Sequence, residues 1–82
     1  MAKHSALGEY LRRLPASENK AELPFGRVEQ LIGDDLPPSA RTWEPWWAND
    51  KTHVQAQAWM GAGWRMTSLS ISDERVTFER QV

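Results

Sequence analysis

His53 and Gln57 stand four residues apart, a spacing that places both on one face of a helix, and Met60 continues that face. Glutamine can bond the N6/N7 edge of adenine in two places, and histidine can donate or accept in a groove. Ala56 leaves room for close approach or for a thymine methyl. The same residues also fit a plain solvated face, or a His53 that caps the helix or pins the tryptophan loop before it. Upstream, Pro37-Pro38 stiffens the approach to Ser39, whose hydroxyl can cap the next turn, and a helix start of that kind attracts anions. Arg41, within one turn of Ser39, offers a forked contact to phosphate or a base edge; alternatively it pairs with Asp34, Asp35 or Glu44. Lys51, Arg65 and Arg75 add the charge that a phosphate backbone needs. Ser39, Arg41, Lys51, His53, Gln57, Arg65 and Arg75 are therefore the candidate nucleic-acid contacts.

Catalytic signatures are sparse. The chain has no Gly-x-Ser-x-Gly, no phosphate-loop Gly-Lys-Ser/Thr, no dinucleotide fingerprint and no His-Glu-x-x-His. Its histidines, His4 and His53, lack metal-ligand spacing. Ser39, His53 and Asp50 make a Ser-His-Asp set only on paper, and Glu18-Asn19-Lys20 has the Glu-x-Lys spacing of some nucleases without a partnering aspartate before it. The expectation is a protein that is not an enzyme and uses no cofactor. Trp43, Trp46 and Trp47 could sandwich a base, but at roughly 150–250 Å² per buried aromatic the five tryptophans are needed for the core of so small a domain. At most one should be exposed for binding.

These residues need elements to hold them. From Ser5 to Leu14 the apolar positions recur at helical steps, and Pro15 stops the run. Lys20 to Phe25 alternates as a short strand, which Pro24 confines to an edge or an end. Phe25, Val28, Leu31 and Ile32 mark a second helix closed by Gly33. Ser39 opens a helical turn to Trp43, which Pro45 interrupts, and Asn49 or Asp50 caps a helix from about Lys51 to Met60. Residues 64–71 and 75–81 alternate as strands of a hairpin about Ser72-Asp73-Glu74, with a bulge expected between Met66 and Leu69, where the apolar face switches. The order αβααββ predicts an α+β fold, a small winged helix-turn-helix-like domain with a C-terminal β-hairpin. The helix over residues 51–60 would read the groove.

Eighty-two residues allow one domain, 1–82, and 40% apolar with 26% charged composition excludes disorder. No apolar run approaches the length of a membrane span or a signal peptide, and no cysteine is present. A cytoplasmic protein with no membrane partner is expected. The net charge is −1, divided as +1 over residues 1–32 (five basic, four acidic), −3 over 33–50 (one basic, four acidic) and +1 over 51–82 (four basic, three acidic). A neutral monomer gains little from counterion release on DNA, which a homodimer or a larger complex would repair.

Leu36-Pro37-Pro38-Ser39-Ala40-Arg41, Trp46-Trp47-Ala48-Asn49, His53, Ala58-Trp59 and Ala62-Gly63-Trp64 together resemble an uncharacterised family of small bacterial domains, over about Tyr10 to the last strand. The resemblance implies a compact domain carrying these motifs and names no reaction. Two functions follow from the residues themselves. One is a DNA-binding module of a small bacterial or phage protein. The other is a protein-interaction adaptor or inhibitor acting through its acidic stretch, Asp34-Asp35 to Asp50, and its aromatics. A positive patch uniting Arg41, Lys51, Arg65 and Arg75 would favour DNA; interleaved signs would favour a protein.

Overall fold

A computed structural model describes residues 4–81. Helix α1 (Ser5–Arg12) leads to strand β1 (Lys20–Pro24), helix α2 (Phe25–Ile32), the short helix α3 (Pro38–Thr42), a 3₁₀ turn (Glu44–Trp47), helix α4 (Val54–Gly61) and strands β2 (Trp64–Ser70) and β3 (Arg75–Arg80). The strands form one antiparallel sheet in the order β1-β3-β2. The fold is α+β, four α-helices with a three-stranded sheet among the described residues.

Local chemistry accounts for most boundaries. Gly33 takes the left-handed conformation at φ 71° and closes α2 where expected. Pro24 ends β1 at the edge of the sheet, opposite Arg75, and Phe25 belongs to α2 rather than to the strand. Helix α1 stops at Arg12, two residues before Leu14, and Arg12 itself donates to the Gly61 carbonyl at 2.9 Å.

Three sequence expectations need correction and a fourth is incomplete. Ser39 does not cap α3: Pro37 occupies the N-cap and Pro38 the first helical position, where a missing N–H costs nothing. Helix α3 ends ahead of Pro45 as expected, but the chain turns again at once: Glu44 and Pro45 open a 3₁₀ turn, where the missing N–H again costs nothing, and the turn buries Trp46 and Trp47. Helix α4 begins at Val54, three residues later than expected, because Asp50 Oδ1 accepts from the Thr52 N–H (2.9 Å) and hydroxyl (2.7 Å), holding residues 50–52 in a separate turn. Ala56 faces the core and is fully buried, so it cannot offer clearance to a base.

The expected bulge is present: the β2–β3 register shifts between Met66 and Ser68, leaving Thr67 unpaired in the ladder, its hydroxyl donating to Glu79 Oε2 at 2.8 Å. The core is aromatic. Trp47 stacks on Phe25 (5.1 Å) and on Trp59 (6.1 Å), and Trp59 leans on Phe78 (5.1 Å). Trp46, Trp47, Trp59 and Trp64 are buried, whereas Trp43 is 54% exposed. Among the described residues no helix is long and apolar enough to cross a membrane.

Candidate binding site

Helix α4 is held from three sides. Against α1 the approach is so close that a Cβ on Gly8 would lie 2.5 Å from the Ala58 carbonyl oxygen. Below, Ala56 and Trp59 are buried in the core. Ahead of the helix, Asn49 works as a bracket: its Oδ1 accepts from the Trp59 indole N–H (2.9 Å) and from the Met66 N–H (2.8 Å), while its amide donates to the Met66 carbonyl (2.8 Å). One side chain thus joins α4 to the outer edge of β2 and satisfies strand groups that have no neighbouring strand. Gln55 adds a bond to the Trp46 carbonyl at 2.8 Å.

What remains open on α4 is the stripe Val54, Gln57 and Gly61, with Met60 half-buried beside it. Lys51, Gln57, Met60 and Gly61 line a hollow of about 380 Å³. A second hollow, of about 260 Å³, shares Lys51 and Met60 and continues to Asn49, Trp64, Arg65 and Gln81. Together they form a trough from the C-terminal half of α4 to the start of the hairpin. The structure therefore brings together Lys51, Gln57 and Arg65 of the seven candidate residues. Met60 and Gln81 join them; Met60 was visible as part of the helix face, but nothing in the sequence linked Gln81 to it.

The other candidates are placed differently. Gln57 itself is tied back, its amide donating to the Lys51 carbonyl at 2.8 Å. His53 is the N-cap residue of α4 without a side-chain cap bond; its Nε2 lies 3.8 Å from Asp50 Oδ2, and its Nδ1 is buried without a hydrogen-bond partner. Ser39 makes no hydrogen bond to it. The Thr52 hydroxyl, then its N–H, hold the Asp50 carboxyl below its ordinary pKa.

Arg41 pairs with neither Asp34, Asp35 nor Glu44. Its guanidinium meets Glu29 at 2.9 Å and Glu74 across the hairpin turn, and covers the Phe25 ring at 5.8 Å. The Leu36 N–H and, after it, the Arg41 guanidinium hold the Glu29 carboxyl below its ordinary range. Arg75 pairs with Glu22 at 3.5 Å. Both arginines lie at the turn end of the hairpin, and five residue steps along β2 separate Arg65 from the Ser70–Arg75 pair, roughly 16 Å at strand rise. The four cations do not unite. Arg80, which the sequence gave no reason to single out, stacks on Trp64 (4.7 Å) and donates to the carbonyls of Leu14, Pro15 and Glu18, tying the α1–β1 loop to β3.

Residues 4–81 match the family described as Domain of unknown function (DUF7662). The chain belongs to this family. Comparison with curated proteins and with solved structures gave no match. Membership in DUF7662 spans the sheet, the tryptophan core and the α4 trough alike, and so singles out no part of the surface. The trough must be judged on its own chemistry.

Proposed function

We propose that this domain is a non-catalytic protein-interaction module whose partner docks on the open face of α4 and the adjoining start of the hairpin. The observation that carries this reading is the distribution of charge. Helix α4 has no charged residue between Val54 and Gly61, Arg41 and Arg75 are matched by carboxylates, and Lys51 and Arg65 stand apart from them. Such a surface favours apolar and hydrogen-bonding contact over phosphate neutralisation, and Val54, 55% exposed, supplies an apolar anchor at its rim. The bracket of Asn49 and the close seat of Gly8 fix α4 rigidly, as a docking surface requires.

Replacing Val54 with a photo-crosslinking amino acid tests this reading in cells that produce the chain. A discrete protein adduct is expected from position 54 and none from the exposed Ser17. No adduct at either position would end the proposal.

A second reading is favoured by the strand pairing. The order β1-β3-β2, with α4 directly before the hairpin, is what a winged-helix domain has, and there α4 would enter the major groove with the hairpin as its wing. Lys51 and Arg65 would then touch phosphate, and nuclease-sensitive adducts at position 54 would support that arrangement.

A further inference from the structure

We infer that the hollow between Lys51 and Arg65 is a subsite for an acidic segment of the partner, one that carries carboxylates on either side of an apolar side chain. This rests on the protein-docking reading of the α4 face and specifies the chemistry of what docks there. Most arginines of the described chain have committed heads: Arg12 and Arg80 on carbonyls, Arg41 and Arg75 on carboxylates, Arg27 on Gln30 and over the Tyr10 ring. Among the described residues Lys51 and Arg65 have no ion pair and no side-chain hydrogen bond, yet they line one hollow of about 260 Å³.

Among the described residues no carboxylate lines that hollow. Glu79, across the ladder from Arg65, accepts from the Thr67 hydroxyl instead and makes no ion pair with Arg65. The other lining side chains, Asn49, Met60, Trp64 and Gln81, are uncharged. The Asn49 carbonyl oxygen is already engaged by Trp59 and Met66, and the Trp64 indole N–H is buried without an acceptor. Two free cations flanking an apolar floor of Met60, in a chain whose net charge is −1, make a local site for anions that the molecule as a whole does not attract. Met60, flexible and polarisable, suits an apolar side chain of varied shape, and the adjoining hollow of about 380 Å³ gives such a side chain room. An acidic peptide fits this better than duplex DNA, because two cations neutralise few phosphates while an apolar floor contributes nothing to a phosphate backbone.

The test is a titration of the full chain, followed by amide NMR, with a short capped peptide of alternating glutamate and leucine, and with its lysine–leucine counterpart. The acidic peptide should shift the amides of Met60, Arg65 and Gln81, and the basic peptide should not. The double variant Lys51→Glu/Arg65→Glu should bind the acidic peptide about tenfold or more weakly, whereas Arg13→Glu, an exposed cation outside the trough, should change affinity less than about twofold. Both variants alter exposed side chains without partners, and an otherwise unchanged spectrum shows that each is folded. Absent shifts, or equal binding by the double variant, would overturn the inference. So would a short duplex DNA that moves these amides when the peptide does not. If the peptide fails while the Val54 adduct persists, the subsite falls and the docking reading stands; if the adduct fails while the peptide binds, the docking reading falls, the inference as a partner subsite falls with it, and the hollow is left as a site for free acidic peptide.

Discussion

Asn49 carries more of the architecture than its size suggests. It serves the Trp59 indole, the Met66 N–H and the Met66 carbonyl at once. Asn49→Ala should therefore strand two donors and one acceptor in a partly buried seam and cost about 2–3 kcal/mol. Asn49→Asp should rescue little, since it sets an oxygen against the Met66 carbonyl. Chemical denaturation measures the loss, and the Trp59 indole proton resonance should move in both variants. The sequence offered Asn49 as a helix cap because Asn before a helix commonly is one; its reach to β2 depends on the fold and has no local signature. Glu29 gives a residue-scale prediction with a pH sign. Its carboxyl is held below the ordinary value, first by the Leu36 N–H and then by Arg41, so ionised Glu29 stabilises the native state above the ordinary carboxylate range. That contribution is lost as pH falls through the lowered native value. The melting temperature should decline in acid, and Glu29→Gln, lower at neutral pH, should decline less steeply over the same window.

At the scale of elements, the span of α2 and the bulge in β2 were legible, whereas the start of α4 and the 3₁₀ turn were not. Helix α2 lies where its apolar spacing and Gly33 place it. The bulge in β2 was visible as a switch of apolar face. Helix α4 was displaced because the Asp50–Thr52 turn competes with helix for the same backbone, and the 3₁₀ turn was hidden by reading Pro45 as a breaker. The α1–α4 contact had no signal except a glycine, and glycine is common. Two glycines test that contact. Gly8→Ala would gain up to about 1 kcal/mol of helix propensity, but its Cβ meets the Ala58 carbonyl, a backbone atom of α4 that cannot rotate away. Steric cost should win, with a net loss of about 1–2 kcal/mol. Gly26→Ala in α2 meets nothing within 4 Å, so the propensity gain should appear alone, about 0.5 kcal/mol of added stability. Equilibrium unfolding of the two variants should give opposite signs; equal effects would show that the α1–α4 approach is not tight.

For the whole molecule, aromatic packing and charge placement set separate limits. Trp59 is 1% exposed between Trp47 and Phe78, so Trp59→Ala should cost about 3–5 kcal/mol, while Trp43→Gln, at an exposed ring, should stay within about 0.5 kcal/mol. That division was foreseeable, since a domain of this size needs most of its tryptophans inside. Which cations share a surface was not, because it follows from the sheet register and from carboxylates distant in sequence. The consequence is measurable with duplex DNA. If Lys51 and Arg65 are the side chains on the α4 trough that reach phosphates, binding detectable at low salt should weaken with a slope of log K against log salt near −2, about 0.9 per contact. Lys51→Ala/Arg65→Ala should bring that slope close to zero. Arg41→Ala should leave it unchanged, because Arg41 is already matched by Glu29 and Glu74, and should lower stability instead. A parent slope near −3.6 would mean about four phosphate contacts, as when Arg41 and Arg75 at the turn end of the hairpin join Lys51 and Arg65, and would make the domain a DNA binder with its ion pairs rearranged on the duplex.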